Sequence, residues 1–135
     1  FPNKHALLTG IHEELAARIE HELVQVAGEG PENASLVDRT RAYVQVSLQS
    51  LTVAEMPLIM DAVNEPDWLA PWMNVYERWF PEAEAPVEEM DDVALRCLVA
   101  RMAADGSWGY ESTLAKPMSL AARERLAESI LGGLG

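Results

Sequence analysis

Trp68, Trp72, Val75 and Trp79 recur at i, i+4, i+7 and i+11, and Leu69, Met73, Tyr76 and Phe80 fall on the flank beside them. On a helix these two rows make one broad apolar surface, which is either solid core or the wall of a cavity. Stripes at helical spacing usually mean core, yet the residue types also suit a cavity. Tyr and Trp carry a hydrogen-bonding tip on an apolar body and Met adapts its shape, whereas a plain bundle core is built mostly from Leu and Val. Tyr43, Ser47, Met56, Met60 and Met102 bring the same chemistry from other segments. Together, Tyr43, Ser47, Met60, Trp72, Tyr76 and Met102 would bound a site for a small, largely apolar, aromatic molecule. Tyr43, Ser47 and Tyr76 can each direct a hydrogen bond through a hydroxyl, and Trp72 through its indole N–H.

Other reactive side chains give weaker patterns. Arg101 and Asp105 stand i, i+4 on an otherwise apolar stretch. They either pair at its wetter end or take part in the site, where Asp105 would balance a cationic ligand among aromatic rings. Cys97, also a candidate for the site, has apolar rather than cationic neighbours and reads as a small buried hydrophobe, not a reactive thiol. His5 and His12 share a helical face, with His21 apart from them. A metal site would want a ligand four residues on, and Ala16 stands there after His12. Solvated or hinge-region histidines are expected, with no metal and no cofactor. No nucleophile lies in a recognisable motif and there is no Gly-rich phosphate loop, so an enzyme is not expected.

Composition narrows the partners. The 135 residues carry a net charge of −12, which argues against a nucleic-acid surface, since phosphate binding needs clustered Lys and Arg. A hydrophobic content of 49% fits one domain with a real core rather than a disordered chain. The single cysteine cannot form an internal disulfide, and no apolar run approaches the roughly 20 residues that cross a bilayer. No membrane partner is expected, and the cytoplasm is the expected location.

The elements that would position these residues read as helices throughout. Asn3 can cap a first helix whose apolar positions are Leu8, Ile11, Leu15, Ile19, Leu23 and Val26, ended by the breakers Gly28-Glu29-Gly30-Pro31. Ser35, with Asp38 three positions on, opens a second helix with an apolar stripe through Leu36, Thr40, Tyr43 or Val44, Ser47 or Leu48, and Leu51. A short third helix lies between Thr52 and Asn64 with Pro57 in its first turn, and Asp67 would cap a fourth running to about Phe80, Pro71 being tolerable only near its start. After the acidic loop from Pro81 to Pro86, a fifth helix begins at about Glu88 and passes Ala104. Its residues Val93, Ala94, Leu95, Cys97, Leu98, Val99, Ala100, Met102 and Ala103 leave almost no polar face. Such a helix must be covered on more than one side, by its own core and by a second copy of the chain. After a break at Lys116-Pro117, Ser119 would cap a last helix ended by Gly132 and Gly133. Leu95, Val99, Leu120, Ala127, Ile130 and Leu131 are the expected interface of a homodimer with two helices from each copy. The class is an all-α bundle of about six helices, forming one domain over residues 1–135.

The opening Phe1-Pro2-Asn3-Lys4-His5-Ala6-Leu7, without an initiator Met and leading straight into a helix, reads as a chain cut from something longer. Its aromatic-x-Asn-Lys run resembles the hinge segment of the TetR family of transcriptional regulators, and the stretch Arg101-Met102-Ala103-Ala104-Asp105-Gly106-Ser107-Trp108 with the final short helix resembles that family's C-terminal domain. The resemblance implies an effector-binding and dimerisation domain, with an inducer held between the second to fifth helices and DNA read by a preceding helix-turn-helix domain. By the same resemblance residues 1–5 are the hinge end of that domain, and Lys4 touches a DNA phosphate when it is present. A helical protein-interaction module without a small-molecule ligand is the alternative.

Overall fold

A computed structural model describes residues 3–51, 55–114 and 117–134, leaving aside the side chains of residues 56, 84 and 112–114. Six α-helices follow one another: α1 (Lys4–Ala27), α2 (Leu36–Gln49), α3 (Met56–Ala62), α4 (Pro66–Trp79), α5 (Asp92–Leu114) and α6 (Leu120–Gly132). Two 3₁₀ turns, Pro81–Glu84 and Val87–Glu89, bridge α4 and α5. The chain is all-α. No helix among the described residues is long and apolar enough to cross a membrane.

The helix ends follow local chemistry. Asn3 accepts the Ala6 N–H at 2.8 Å, Ser35 that of Asp38 at 3.1 Å and Ser119 that of Ala122 at 3.1 Å, each satisfying a donor that the first helical turn leaves free. Gly28 closes α1 at φ 83°, a left-handed conformation that glycine adopts without strain, and returns its N–H to Val24 O. Pro57 sits in the first turn of α3, where no N–H is needed. The expected start near Thr52 and the break at Lys116 lie outside the described residues.

Two boundaries differ from expectation. Glu65, not Asp67, caps α4, and Asp67 instead meets His5 Nε2 at 2.9 Å, tying the start of α4 to the start of α1. Pro71 consequently lies inside α4, which continues as a helix through it. The fifth helix starts later than Glu88, because 3₁₀ turns take up residues 81–84 and 87–89 and Asp91 Oδ1 accepts the Ala94 N–H at 2.8 Å.

The central element is α2, which packs on α1 on one side and on α5 and α6 on the other. Ala42 and Val46, four residues apart, enter a core with Ala16, Ile19 and Leu23 of α1 and Val75, Trp79 and Phe80 of the α4 region. Val44 and Leu48 stand two positions on, about 200° around the helix, and enter a second core with Ala100, Ala104 and Ala127. A single stripe was expected on α2. It carries two, while Val93, Leu95, Val99 and Met102 on the outer side of α5 are exposed in the single chain.

Ion pairs built on buried arginines fasten the frame. Arg123 of α6 donates to both Glu111 oxygens, at 3.2 and 2.8 Å, and to Leu51 O at 2.8 Å, while Glu111 also accepts the Met118 N–H. Arg39 of α2 reaches Trp79 O at 2.6 Å and clamps Glu82 through both outer nitrogens. Through the Trp79 and Leu51 carbonyls, both clusters tie segments that are distant in sequence.

Candidate functional site

Between α1, α2, α4 and α5 lies a cavity of about 170 Å³. Its wall is built from Ile19 and Leu23 of α1, Tyr43, Val46 and Ser47 of α2, Ile59 of α3, Trp72, Met73, Val75, Tyr76 and Trp79 of α4, the adjoining Phe80, and Trp108 of α5. Six of these thirteen are aromatic. Of the residues expected from the sequence to bound the site, Tyr43, Ser47, Trp72 and Tyr76 come together here.

Edge-to-face packing fixes the rings. Tyr43 meets Phe80 at 5.4 Å between centroids and 90°, and Tyr76 at 6.2 Å and 77°, while Tyr76 and Phe80 lie 5.3 Å apart. Trp108 Nε1 donates to the Ser47 carbonyl at 3.1 Å, holding the α5 side of the wall against α2.

Polar groups collect behind the Tyr43, Tyr76 and Phe80 rings. The Tyr43 hydroxyl donates to Asp105 Oδ1, and burial followed by the neighbouring carboxylate holds that hydroxyl protonated well above the ordinary tyrosine range. Asp105 reaches solvent with part of its surface, yet desolvation of its carboxyl pushes its pKa up, opposed by the Tyr43 hydrogen bond and the Arg101 charge. Arg101 is 3% exposed, with its Cζ 4.4 Å from the centre of the Phe80 ring and its Nε donating to the Tyr76 hydroxyl at 3.3 Å. Arg101 and Asp105 do not pair with each other as an i, i+4 spacing allowed, because each is taken by a tyrosine on another helix.

Other expected site residues lie elsewhere. Met60 is 48% exposed and Met102 is 62% exposed, so neither bounds the cavity: Met102 stands on the outer side of α5, one residue past the inward-facing Arg101. Cys97 is fully buried on α5 away from the cavity lining, and the Met56 side chain lies outside the description. Trp108, Ile19 and Leu23 are lining residues that the sequence reading did not place there. Trp108 lies one turn beyond Ala104 on the buried side of α5, a register that becomes visible only once the packing of that helix is known.

His12 is buried, not solvated. It accepts the Trp72 indole N–H at Nδ1 across 3.0 Å and stacks on Trp68 at 5.6 Å, and burial pushes its pKa below the ordinary histidine value against a smaller opposing effect of Asp61. His5, Glu65 and Asp67 form a solvent-facing trio of possible metal ligands. Lys4 is exposed in the first turn of α1.

The outer sides of α5 and α6 form a second surface. Val99 is 58% and Leu120 61% exposed, Leu95 is also exposed, and Ile130 and Leu131 are half-buried, so these residues are open to solvent in the single chain. Leu95, Val99 and Ile130 border one shallow groove between the two helices. Ala127 belongs to the opposite side: at 1% exposure it packs inward on Val44, Leu48, Ala100 and Ala104, so it is core rather than interface.

The sequence pattern of the family described as tetracyclin repressor-like, C-terminal domain, matches residues 37–133. No curated protein is significantly similar to the chain. The matched span takes in α2 to α6, the helices that carry most of the cavity wall and the whole of the exposed apolar face.

Proposed function

Since the chain belongs to the family of tetracyclin repressor-like C-terminal domains, we propose that it is the effector-binding and dimerisation domain of a transcriptional regulator and senses a small, largely apolar molecule. The observation that carries this reading is the aromatic cavity walled by residues of α1 to α5, α1 among them. A ligand in it touches Ile19 and Leu23 directly, and it touches Trp72, whose indole is bonded to His12 of the same helix.

Ligand binding then favours one tilt of α1 over another. The shift requires that the ligand bind the two arrangements with different affinity, and α1 supplies the difference because its side chains form part of the wall. In the regulator, α1 leads toward a DNA-reading segment with Lys4 placed to meet a backbone phosphate, and the tilt sets the distance between two such segments in a dimer. The open apolar sides of α5 and α6 supply the isologous contact, in which Val99 and Leu95 of each copy face the other.

A screen of apolar and aromatic compounds against the 135-residue chain tests the sensing role. Binders raise the melting temperature with occupancy and quench tryptophan fluorescence, and Trp72→Ala removes both effects while the helical circular dichroism persists. Absence of any stabilising compound, or full retention of binding by Trp72→Ala, overturns it. The 135-residue chain by itself, with a net charge of −12, gives no mobility shift with duplex DNA at physiological salt.

A further inference from the structure

Arg101 is a buried cation that makes no ion pair among the described residues, although its charge acts on Asp105 and Glu82 nearby. Among the described residues its Nη1 has no hydrogen-bond partner, its one hydrogen bond is the 3.3 Å contact of Nε with the Tyr76 hydroxyl, and no carboxylate forms an ion pair with it. The nearby acids are engaged elsewhere, Glu82 in the two-point clamp of Arg39 and Asp105 by the Tyr43 hydroxyl. The Phe80 ring face offsets part of the desolvation of the guanidinium but satisfies none of its N–H groups in the plane of the fork. Burying a guanidinium with a free N–H is costly, and an apolar side chain of similar volume would fill the same space without that cost.

The position of this cation gives the cost a use. Tyr76 and Phe80, the two residues Arg101 touches, are both part of the cavity wall, so the guanidinium lies one hydrogen bond behind an otherwise apolar chamber. We propose that the effector of this site is an amphipathic organic acid, an aryl or alkyl carboxylic acid whose apolar body fills the aromatic cavity and whose carboxylate is held at the Tyr76 end by Arg101 and the Tyr76 hydroxyl. The fork of the guanidinium matches a carboxylate in two-point geometry, and a charge-assisted hydrogen bond in a dry site is worth more than a neutral one. A cationic ligand is disfavoured there, because it would meet the like charge of Arg101. This assignment rests on the cavity being the effector site and adds the chemical class of what enters it.

Two matched probe series test the class: 1-naphthoate, its methyl ester and 1-naphthylmethylamine, and decanoate, 1-decanol and decylamine, titrated by calorimetry at pH 7.5 against the full 135-residue chain and its Arg101→Met and Tyr76→Phe variants. Each acid binds at least about tenfold more tightly than its neutral partner, and the amines bind most weakly. Arg101→Met abolishes the preference while keeping the affinity for the neutral probes, and its own melting temperature is no lower than that of the parent, since it removes an unsatisfied buried charge. Tyr76→Phe reduces the preference without abolishing it. Equal binding of acids and neutral probes, tighter binding of amines, or an acid preference that survives Arg101→Met overturns the assignment and leaves the small-molecule cavity standing. Failure of every probe in both series overturns the cavity reading together with it. Should Arg101→Met not fold, the acid-to-neutral ratio of the parent chain decides the question alone.

Discussion

The indole of Trp72 donates its Nε1–H to His12 Nδ1 across 3.0 Å, joining the cavity wall to the buried side of α1. An indole nitrogen can only donate, so His12 accepts at Nδ1 and carries its proton at Nε2 as a neutral ring. The bond is one of the few polar links between the cavity and α1, and it breaks when the imidazole takes up a second proton.

Acid therefore weakens the fold in a defined window. Because the folded pKa of His12 lies below the unfolded value of about 6.5, neither state binds the proton above that pH and the full stability is present. As the pH falls below about 6.5 the unfolded chain takes up its proton first, and stability declines until the folded pKa is passed. Thermal melts between pH 8 and pH 5 show this decline, and His12→Gln flattens it. Glu20 and Glu82, held below the usual carboxylate range chiefly by hydrogen bonds from Arg78 and Arg39, lose their contribution at lower pH, from about 4.5 downward.

Truncation at the same link is expensive. His12→Ala empties a fully buried ring site and leaves the Trp72 N–H without its acceptor, and costs about 2–4 kcal/mol in urea unfolding. A loss under about 0.5 kcal/mol would show that the bond is not made in solution.

The Glu111–Arg123 pair is buried on both sides, 2.8 Å apart, and Arg123 also holds the Leu51 carbonyl. Removing one partner strands the other charge, so Glu111→Leu costs about 3–5 kcal/mol. Glu111→Leu combined with Arg123→Met recovers a large part of that loss, which a denaturation series of the two singles and the double measures directly.

Residues on opposite sides of the α5–α6 layer respond differently to charge. Val99→Glu on the exposed face leaves the monomer within about 0.5 kcal/mol of the parent but shifts sedimentation from dimer to monomer. Ala127→Glu places a carboxylate into the closed contact with Val44, Leu48 and Ala104 and prevents folding, read by loss of helical circular dichroism. A parent chain that sediments as a monomer at micromolar concentration overturns the dimer.

Filling the cavity separates binding from stability. Val46→Phe, on the wall between α1 and α2, blocks the chamber and abolishes ligand-induced stabilisation, while the fold shifts by about 1–3 kcal/mol at most.

Much of this molecule is local, and local features are legible in sequence. Asn3, Ser35 and Ser119 cap the helices that follow them because a short side chain and three backbone donors are all the motif needs, and Gly28 ends α1 for the same local reason. The helical period likewise placed Tyr43, Ser47, Trp72 and Tyr76 on inward faces. Rotation about each helix axis was decided only by tertiary packing. Periodicity shows that α5 is apolar, but whether Arg101 or its neighbour Met102 turns inward depends on where α2 and α4 lie, and Arg101 is buried while Met102 is open. The same holds for Ala127, for Trp108, and for His12, whose partner stands sixty residues away. A side chain's burial is a property of the neighbours it meets, and those neighbours come together only when α1, α2, α4 and α5 close around one cavity.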